Sequence, residues 1–305
     1  MAGAAAVAAL LVKQNIADVL IFATVFWVFA WRTGKLTFPR LAQRVGLAAV
    51  GAVLGYGLVM AWSVAHGTSP ADVYDATYPF RVKASRAIAD NQILVDQSSS
   101  RLKVIWWSFA ASGVPFLLAL FAFRGVRKTG ATAFVWATIA LIGWSTFSTL
   151  AGGSYWRHYL VESIPAVAFA VGLTALVTPT VTRNVLAVVV ASSIGIGLGY
   201  AFFPVSTPGT TIGQALKKAK QPGDTVTQFF GDAETVRSSG MQSPYRFLWS
   251  LPADTLDPRL DELNAILDGP DAPTWVVVRD DIARNRLTAD GAYQLIEEHY
   301  RRHGS

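Results

Sequence analysis

Long apolar runs separated by short charged links constrain this chain more than any other feature. Seven such runs occur along its 305 residues: 1–12, 17–31, 45–62, 103–123, 131–150, 163–177 and 184–203. Charged residues make up only 15% of the chain, whereas soluble globular proteins carry about 25%. The sequence therefore predicts a polytopic α-helical membrane protein with about seven apolar segments. The first segment is partial, because it is too short to cross a bilayer.

Basic residues in the links indicate which side of the membrane each loop faces. Residues 32–44 and residues 124–128, two runs later, are both rich in Arg and Lys. Because short basic loops stay in the cytoplasm, the loop 63–102 and the hinge 152–162 are predicted to face outward. The sequence thus predicts a multi-pass plasma-membrane protein with two domains, a transmembrane helical domain and a small C-terminal extracytoplasmic α/β domain: residues 1–203 and 204–305.

The first run leaves two interpretations of the N-terminus open. Residues 2–12 have the length of a signal-peptide core, but no basic residue precedes them. We favour a chain that begins inside a membrane helix, which leaves open whether Met1 is the native start.

The outer loop 63–102 mixes aromatic, acidic and basic side chains. Val82, Ser85, Arg86 and Ala89 recur at helical spacing. This pattern predicts a helix lying on the outer leaflet with its basic residues near lipid phosphates. A solvated linker helix is the alternative interpretation.

The tail alternates helix and strand signals, which is typical of a small α/β layer. Asp257 and Pro258 predict a helix cap followed by proline at the first helical position. The predicted strands and helices are, in order, a helix 210–220, a strand 225–230, a helix 257–267, a strand 274–278 and a helix 292–300.

Several kinds of chemistry are disfavoured by the composition. The absence of cysteine excludes disulfides and thiolate nucleophiles. Four His residues show no two-His zinc spacing, so no metal site and no cofactor are predicted, although a divalent metal is left open. Asp280 and Asp281 form a neighbouring acidic pair that fits a turn better than a metal or sugar site. The net charge of +6 lies at the ends of apolar runs, which favours membrane orientation over nucleic-acid binding.

The hinge between the fifth and sixth runs concentrates polar and aromatic residues at a predicted membrane boundary. Cations at the outer leaflet suit a lipid phosphate, and aromatic rings suit sugars or isoprenoid chains. An aromatic belt is the alternative for the hinge, and an ordinary salt bridge is the alternative for Glu162, which otherwise would orient His158 or Arg157. The candidate donor-binding residues are Lys13, Arg81, Arg157, His158, Tyr159 and Glu162.

Short stretches of the chain resemble C-type (GT-C) membrane glycosyltransferases of the protein-mannosyltransferase and aminoarabinose-transferase group. Tyr155–Tyr159, Tyr-Trp-Arg-His-Tyr, followed by Pro165, resembles the outer hinge of that group. Leu11–Gln14, Leu-Val-Lys-Gln, is similar to a lysine step near the end of an early helix. The tail stretches Ser243–Pro252 and Ala272–Val277 resemble actinobacterial members.

The resemblance implies an enzyme that takes a sugar from a polyprenyl-phosphate carrier at the outer face. It would pass the sugar to a lipid, glycan or protein acceptor by direct displacement with inversion. The base of that family lies in an outer loop N-terminal to the lysine step, so the resemblance implies that this chain is the C-terminal part of such an enzyme. Asp72 and Asp75 do not match the position of that base, and no catalytic residue is assigned.

A second hypothesis belongs to a different class. The chain would be a non-catalytic membrane subunit that binds a lipid-linked glycan or a partner protein. A transporter is disfavoured, because no acid or base lies in the middle of an apolar run.

Overall fold

The computed structural model divides into two compact units. The first unit comprises residues 1–79 and 91–199, and the second comprises residues 80–90 and 200–305. The outer-loop helix that contains Arg81 thus groups with the tail. The structure describes residues 1–13, 16–90, 92–151, 153–202, 207–229, 233–278 and 281–303.

Helices make up nearly all regular structure of the first unit, as the apolar runs predict. The helical elements are α1 (Ala2–Val12), α2 (Asp18–Arg32), α3 (Phe38–Ala65), α4 (Pro70–Thr77), α5 (Pro79–Asp90, almost wholly in the second unit), α6 (Gln92–Ala111), α7 (Val114–Leu120), a π turn (Phe121–Gly125), α8 (Val126–Lys128), α9 (Thr132–Ala151), a 3₁₀ segment (Arg157–Ser163), α10 (Ile164–Ala175) and α11 (Pro179–Phe202). Two of these helices, α5 and α11, extend past the unit boundary.

Among the described residues, four helices are long and apolar enough to cross a membrane, whereas the sequence predicts about seven apolar segments, the first of them partial. They are α3, α9, the 3₁₀ segment continued by α10, and α11. The helix α2 has 15 residues, which reach only about 22 Å against a hydrocarbon core of about 30 Å. The helix α1 is shorter still.

The fourth apolar run, predicted as one segment, is broken in the middle. The helices on either side, residues 98–111 and 114–128, meet at an angle of 60°, and together they make a fifth candidate span if they cross as one. Gly113 at the break has φ +76°, a conformation that glycine adopts without strain. Pro115 follows in the first turn of α7, where its missing N–H leaves no helix hydrogen bond unmade.

Aromatic side chains pack α2 against its neighbours in the first unit. The ring of Phe26 lies 4.6 Å from that of Phe134 on α9, and the ring of Phe22 lies 4.2 Å from that of Phe169 on α10. Asp18, the first residue of α2, lies near enough to Glu162 of the 3₁₀ segment for their charges to interact.

The second unit contains a two-stranded parallel sheet surrounded by helices. Val226 pairs with Trp275 and Phe229 with Val278. Residues 226–229 of the first strand are buried. Besides α5, its elements are α12 (Pro208–Ala219), β1 (Val226–Phe229), α13 (Glu234–Ser239), α14 (Ser250–Leu256), α15 (Asp261–Leu267), β2 (Trp275–Val278), α16 (Asp281–Ala289) and α17 (Ala292–His299).

The tail predictions are confirmed in element type and corrected at one helix start. The helix predicted from residue 257 begins at Asp261, after Leu260 in the left-handed region at φ +56°. Asp257 still acts in the manner of a cap, because its carboxylate accepts the backbone N–H groups of Glu262 and Leu263, each at 3.2 Å. The hydroxyl of Tyr245 donates a third bond to the same carboxylate at 3.0 Å.

Candidate functional site

Five of the six predicted site residues lie in the first unit. Lys13 follows α1 directly, and the other four belong to the 3₁₀ segment between α9 and α10. Arg81 lies on α5, which groups with the second unit. The hinge site is therefore the predicted set without Arg81.

Lys13, Tyr159 and Glu162 come together at one point. The Lys13 ammonium donates a short hydrogen bond to Oε1 of Glu162 and lies 3.4 Å from the centre of the Tyr159 ring. The hydroxyl of Ser148, on α9, donates to the second oxygen, Oε2 of Glu162, at 2.6 Å. The Glu162 side chain is 6% exposed and that of Lys13 is 26% exposed, so this is a largely buried ion pair.

The 3₁₀ conformation explains why Tyr159 and Glu162 meet the same lysine. Side chains three residues apart are eclipsed in a 3₁₀ helix, so both project toward Lys13. The turn into this segment uses Gly153 at φ +68° and Tyr155 at φ +50°. Pro165 then lies in the first turn of α10, where its missing N–H leaves no helix hydrogen bond unmade.

An exposed part of the hinge carries the remaining predicted residues. Trp156, Arg157 and His158 are exposed to solvent. The rings of Trp156 and His158 are stacked with centroids 6.4 Å apart, and the His158 ring meets Tyr159 edge-on at 5.0 Å. The Arg101 guanidinium, from α6, lies 4.0 Å from the centre of the Trp156 ring, so a cation–π contact ties α6 to the hinge.

Sequence reasoning missed three residues at this site. Ser148 and Arg101 gave no separate signal, because one lies in an apolar run and the other at the edge of a long loop. Asp18 did carry a signal, as a lone acid at the start of an apolar run. It is 7% exposed, and its carboxylate is near enough to Glu162 for the two to repel each other. No described residue donates a hydrogen bond to its Oδ2.

The described residues contain no group of three His, Asp or Glu side chains arranged to hold a metal ion. Asp281 begins α16, and Asp280 lies outside the described residues, as does Gly152 at the start of the predicted hinge. The arrangement around the 3₁₀ segment thus offers charge and aromatic surface rather than a metal cage. Exposed Arg157 and His158 are suited to contact an anion, while Lys13 and Glu162 neutralise each other.

In the second unit, α5 matches the helix predicted around Arg81. Val82, Ser85, Arg86 and Ala89 are all exposed, and Arg81 is half-buried. Burial elsewhere in this unit raises the pKa of Asp254 to about 6, although the Arg286 guanidinium, 3.6 Å from Oδ1, opposes the shift. Burial also raises the pKa of the Tyr245 hydroxyl, and the neighbouring Asp257 adds to the shift.

Comparison of the chain with family models, with curated proteins and with solved structures found no match. Function must therefore be inferred from the geometry of the site.

Proposed function

We propose that this chain is the C-terminal part of a membrane glycosyltransferase that binds a polyprenyl-phosphate-linked sugar at the hinge. The sugar would pass to a lipid, glycan or protein acceptor at the outer face of the plasma membrane. The proposal includes the membrane orientation predicted from the basic links, in which the second unit lies on the outer side of the membrane.

The exposed side of the 3₁₀ segment is the observation that carries this proposal. Arg157 and His158 are solvent-exposed at the N-terminal end of an apolar helix, beside the rings of Trp156 and Tyr159. A phosphate on an isoprenoid chain needs charge-assisted donors next to an apolar surface, and a sugar packs against aromatic faces. Both requirements are met within four consecutive residues.

The ion pair changes the role proposed for Lys13. Its ammonium already binds Glu162 and the Tyr159 ring, so using it to bind phosphate would break a largely buried pair. We therefore assign the phosphate contact to Arg157 and His158. Lys13 and Glu162 hold the 3₁₀ segment in position.

A binding measurement tests the proposal. The full chain in lipid nanodiscs should bind a polyprenyl monophosphate, and Arg157→Ala or His158→Ala should weaken binding about tenfold, the equivalent of one charged hydrogen bond. Arg183→Ala is the matched control, because Arg183 is an exposed cation at the start of another apolar helix. Equal affinity in all four proteins, or no binding, contradicts the proposal.

The non-catalytic alternative is favoured by the same ion pair. A site whose lysine and glutamate neutralise each other is suited to holding structure rather than to moving protons. Supplying a polyprenyl-phosphate sugar to the nanodisc-bound chain distinguishes the two functions. Sugar transfer that is lost in Arg157→Ala supports the enzyme, and tight binding without transfer supports a subunit that presents the lipid-linked glycan.

A further inference from the structure

Asp18 is a buried acid that the proposed function does not use. It is the first residue of α2 and is 7% exposed. Its carboxylate interacts electrostatically with that of Glu162, which is also buried. Because removing an ionised carboxylate from water costs several kcal/mol unless a counter-charge is present, the charge balance at Asp18 requires an explanation.

The cation bonded to Glu162 is already engaged. Lys13 donates to Glu162 and packs on Tyr159. The 3₁₀ segment also carries Arg157 and His158, but both are exposed. Lys13 therefore balances Glu162, while the buried Asp18 carboxylate has a second carboxylate as its charged neighbour.

Two serine hydroxyls of α9 bond to Glu162 or to the backbone. Ser148 donates to Oε2 of Glu162 at 2.6 Å. Ser145 donates to the carbonyl oxygens of Leu141 at 2.9 Å and Glu162 at 3.3 Å. Within the part of the chain that the structure describes, Oδ2 of Asp18 is buried with no hydrogen-bond partner.

We infer that Asp18 and Glu162 form a binding site for one proton, which resides on Asp18 while Glu162 remains paired with Lys13. The proton comes from water, and its binding converts the Asp18 carboxylate to a neutral carboxyl group. The proton then neutralises Asp18, and Lys13 remains bound to Glu162. Neighbouring carboxylates are known to share one proton, because two negative charges at close range repel each other.

Infrared difference spectroscopy of the full chain in nanodiscs tests this inference without reference to sugar transfer. At about pH 5 the wild-type protein should show the C=O stretch of a protonated carboxylic acid, and Asp18→Asn should remove the equivalent of one carboxyl group. The asparagine keeps the shape of the side chain without its charge. Asp75→Asn, at an exposed acid on α4, is the matched control and should leave the band unchanged.

A second variant probes the charge balance itself. Lys13→Met removes the ammonium, so Glu162 should also take up a proton and the carboxylic-acid band should grow to about two groups, following the same like-charge argument. A wild-type spectrum without the band, or a band of equal size in wild type and Asp18→Asn, overturns the inference. A missing wild-type band would mean that Asp18 stays ionised, and equal bands would assign the protonated acid to another residue. Failure of phosphate binding at Arg157 would leave the inference untouched.

Discussion

At the scale of a residue, the ion pair of Lys13 with Glu162 is expected to contribute measurably to the free energy of unfolding. Lys13→Met removes the counter-charge of the buried Glu162, which must then take up a proton to stay buried, and we expect the free energy of unfolding to fall by about 3 kcal/mol. That is the lower end of the cost of breaking a buried pair, because Lys13 is partly exposed. Unfolding of the full chain in mixed micelles measures the loss.

The exposed ion pair of the second unit provides the control. Arg246 binds Glu262 at 2.8 Å, with its side chain 69% exposed. Arg246→Met should change the free energy of unfolding by less than about 1 kcal/mol, as is usual for surface pairs. Equal losses in the two variants would show that the burial of Glu162 does not determine the strength of its pair.

Asp254 predicts a pH dependence for the second unit. Its folded-state pKa is raised to about 6, so the folded protein binds more protons than the unfolded chain between pH 4 and 6, a window set by the ordinary aspartate pKa of about 3.9. Its contribution to stability is fully present below about pH 4 and is lost as the pH rises through 6. Hydrogen exchange of the β1 and β2 amides in the full chain should quicken over this range.

Asp254→Asn removes the titrating group, so it should flatten this part of the pH profile. Arg286 also contacts Asp290, and that ion pair remains in the variant. An unchanged profile in Asp254→Asn would assign the titration to another acid.

The sequence predicted the identities of the hinge residues better than their partners. Composition and position singled out Lys13, Tyr159 and Glu162, because charged and aromatic groups at the ends of apolar runs are conspicuous. The pairing of Lys13 with Glu162 joins residues 149 positions apart. Tertiary packing, which includes that of α2 against α9 and α10, brings them together, and no local sequence pattern predicts it.

At the scale of an element, the close contact between two helices determines whether a larger side chain can be accommodated. A Cβ on Gly213 of α12 would lie 2.6 Å from the backbone oxygen of Thr235 on α13. Gly213→Ala should therefore separate the two helices and destabilise the second unit by about 1–3 kcal/mol, the usual cost of overpacking. Hydrogen exchange across α12 and α13 measures the effect.

Gly143 of α9 is the matched control for that substitution. A Cβ there meets no atom within 4 Å, so Gly143→Ala should be neutral or slightly stabilising through helix propensity. Similar destabilisation by both alanines would indicate that crowding between α12 and α13 is not the cause.

Elements were predictable where a periodic or β-branched pattern was local, as in β1, β2 and α17. The prediction was wrong where backbone conformation decided the boundary. Gly113 breaks the fourth apolar run with a left-handed residue. Leu260 delays the start of α15 in the same way, and a leucine carries no sequence signal for that conformation.

At the scale of the whole molecule, the proposed topology predicts accessibility from the two sides of the membrane. The native chain contains no cysteine, so single substitutions report one position each. Asp75→Cys and His299→Cys should react with an impermeant thiol reagent in intact cells. Lys35→Cys and Lys128→Cys should react only after permeabilisation, because the basic links are predicted to be cytoplasmic.

All four positions are exposed, so unequal labelling reports sidedness rather than burial. Labelling of Lys35→Cys in intact cells would overturn the predicted orientation. Equal labelling of Lys35→Cys and Asp75→Cys from one side would contradict a membrane crossing by α3.

The long separation between Lys13 and Glu162 also sets the order in which this fold can assemble. A ribosome releases α1 and α2 before α9 and the 3₁₀ segment exist. During that interval Lys13 has no Glu162, and the aromatic face of α2 has no Phe134 or Phe169 to pack against. The helices α1 and α2 can therefore reach their final packing only after α9, the 3₁₀ segment and α10 have been synthesised.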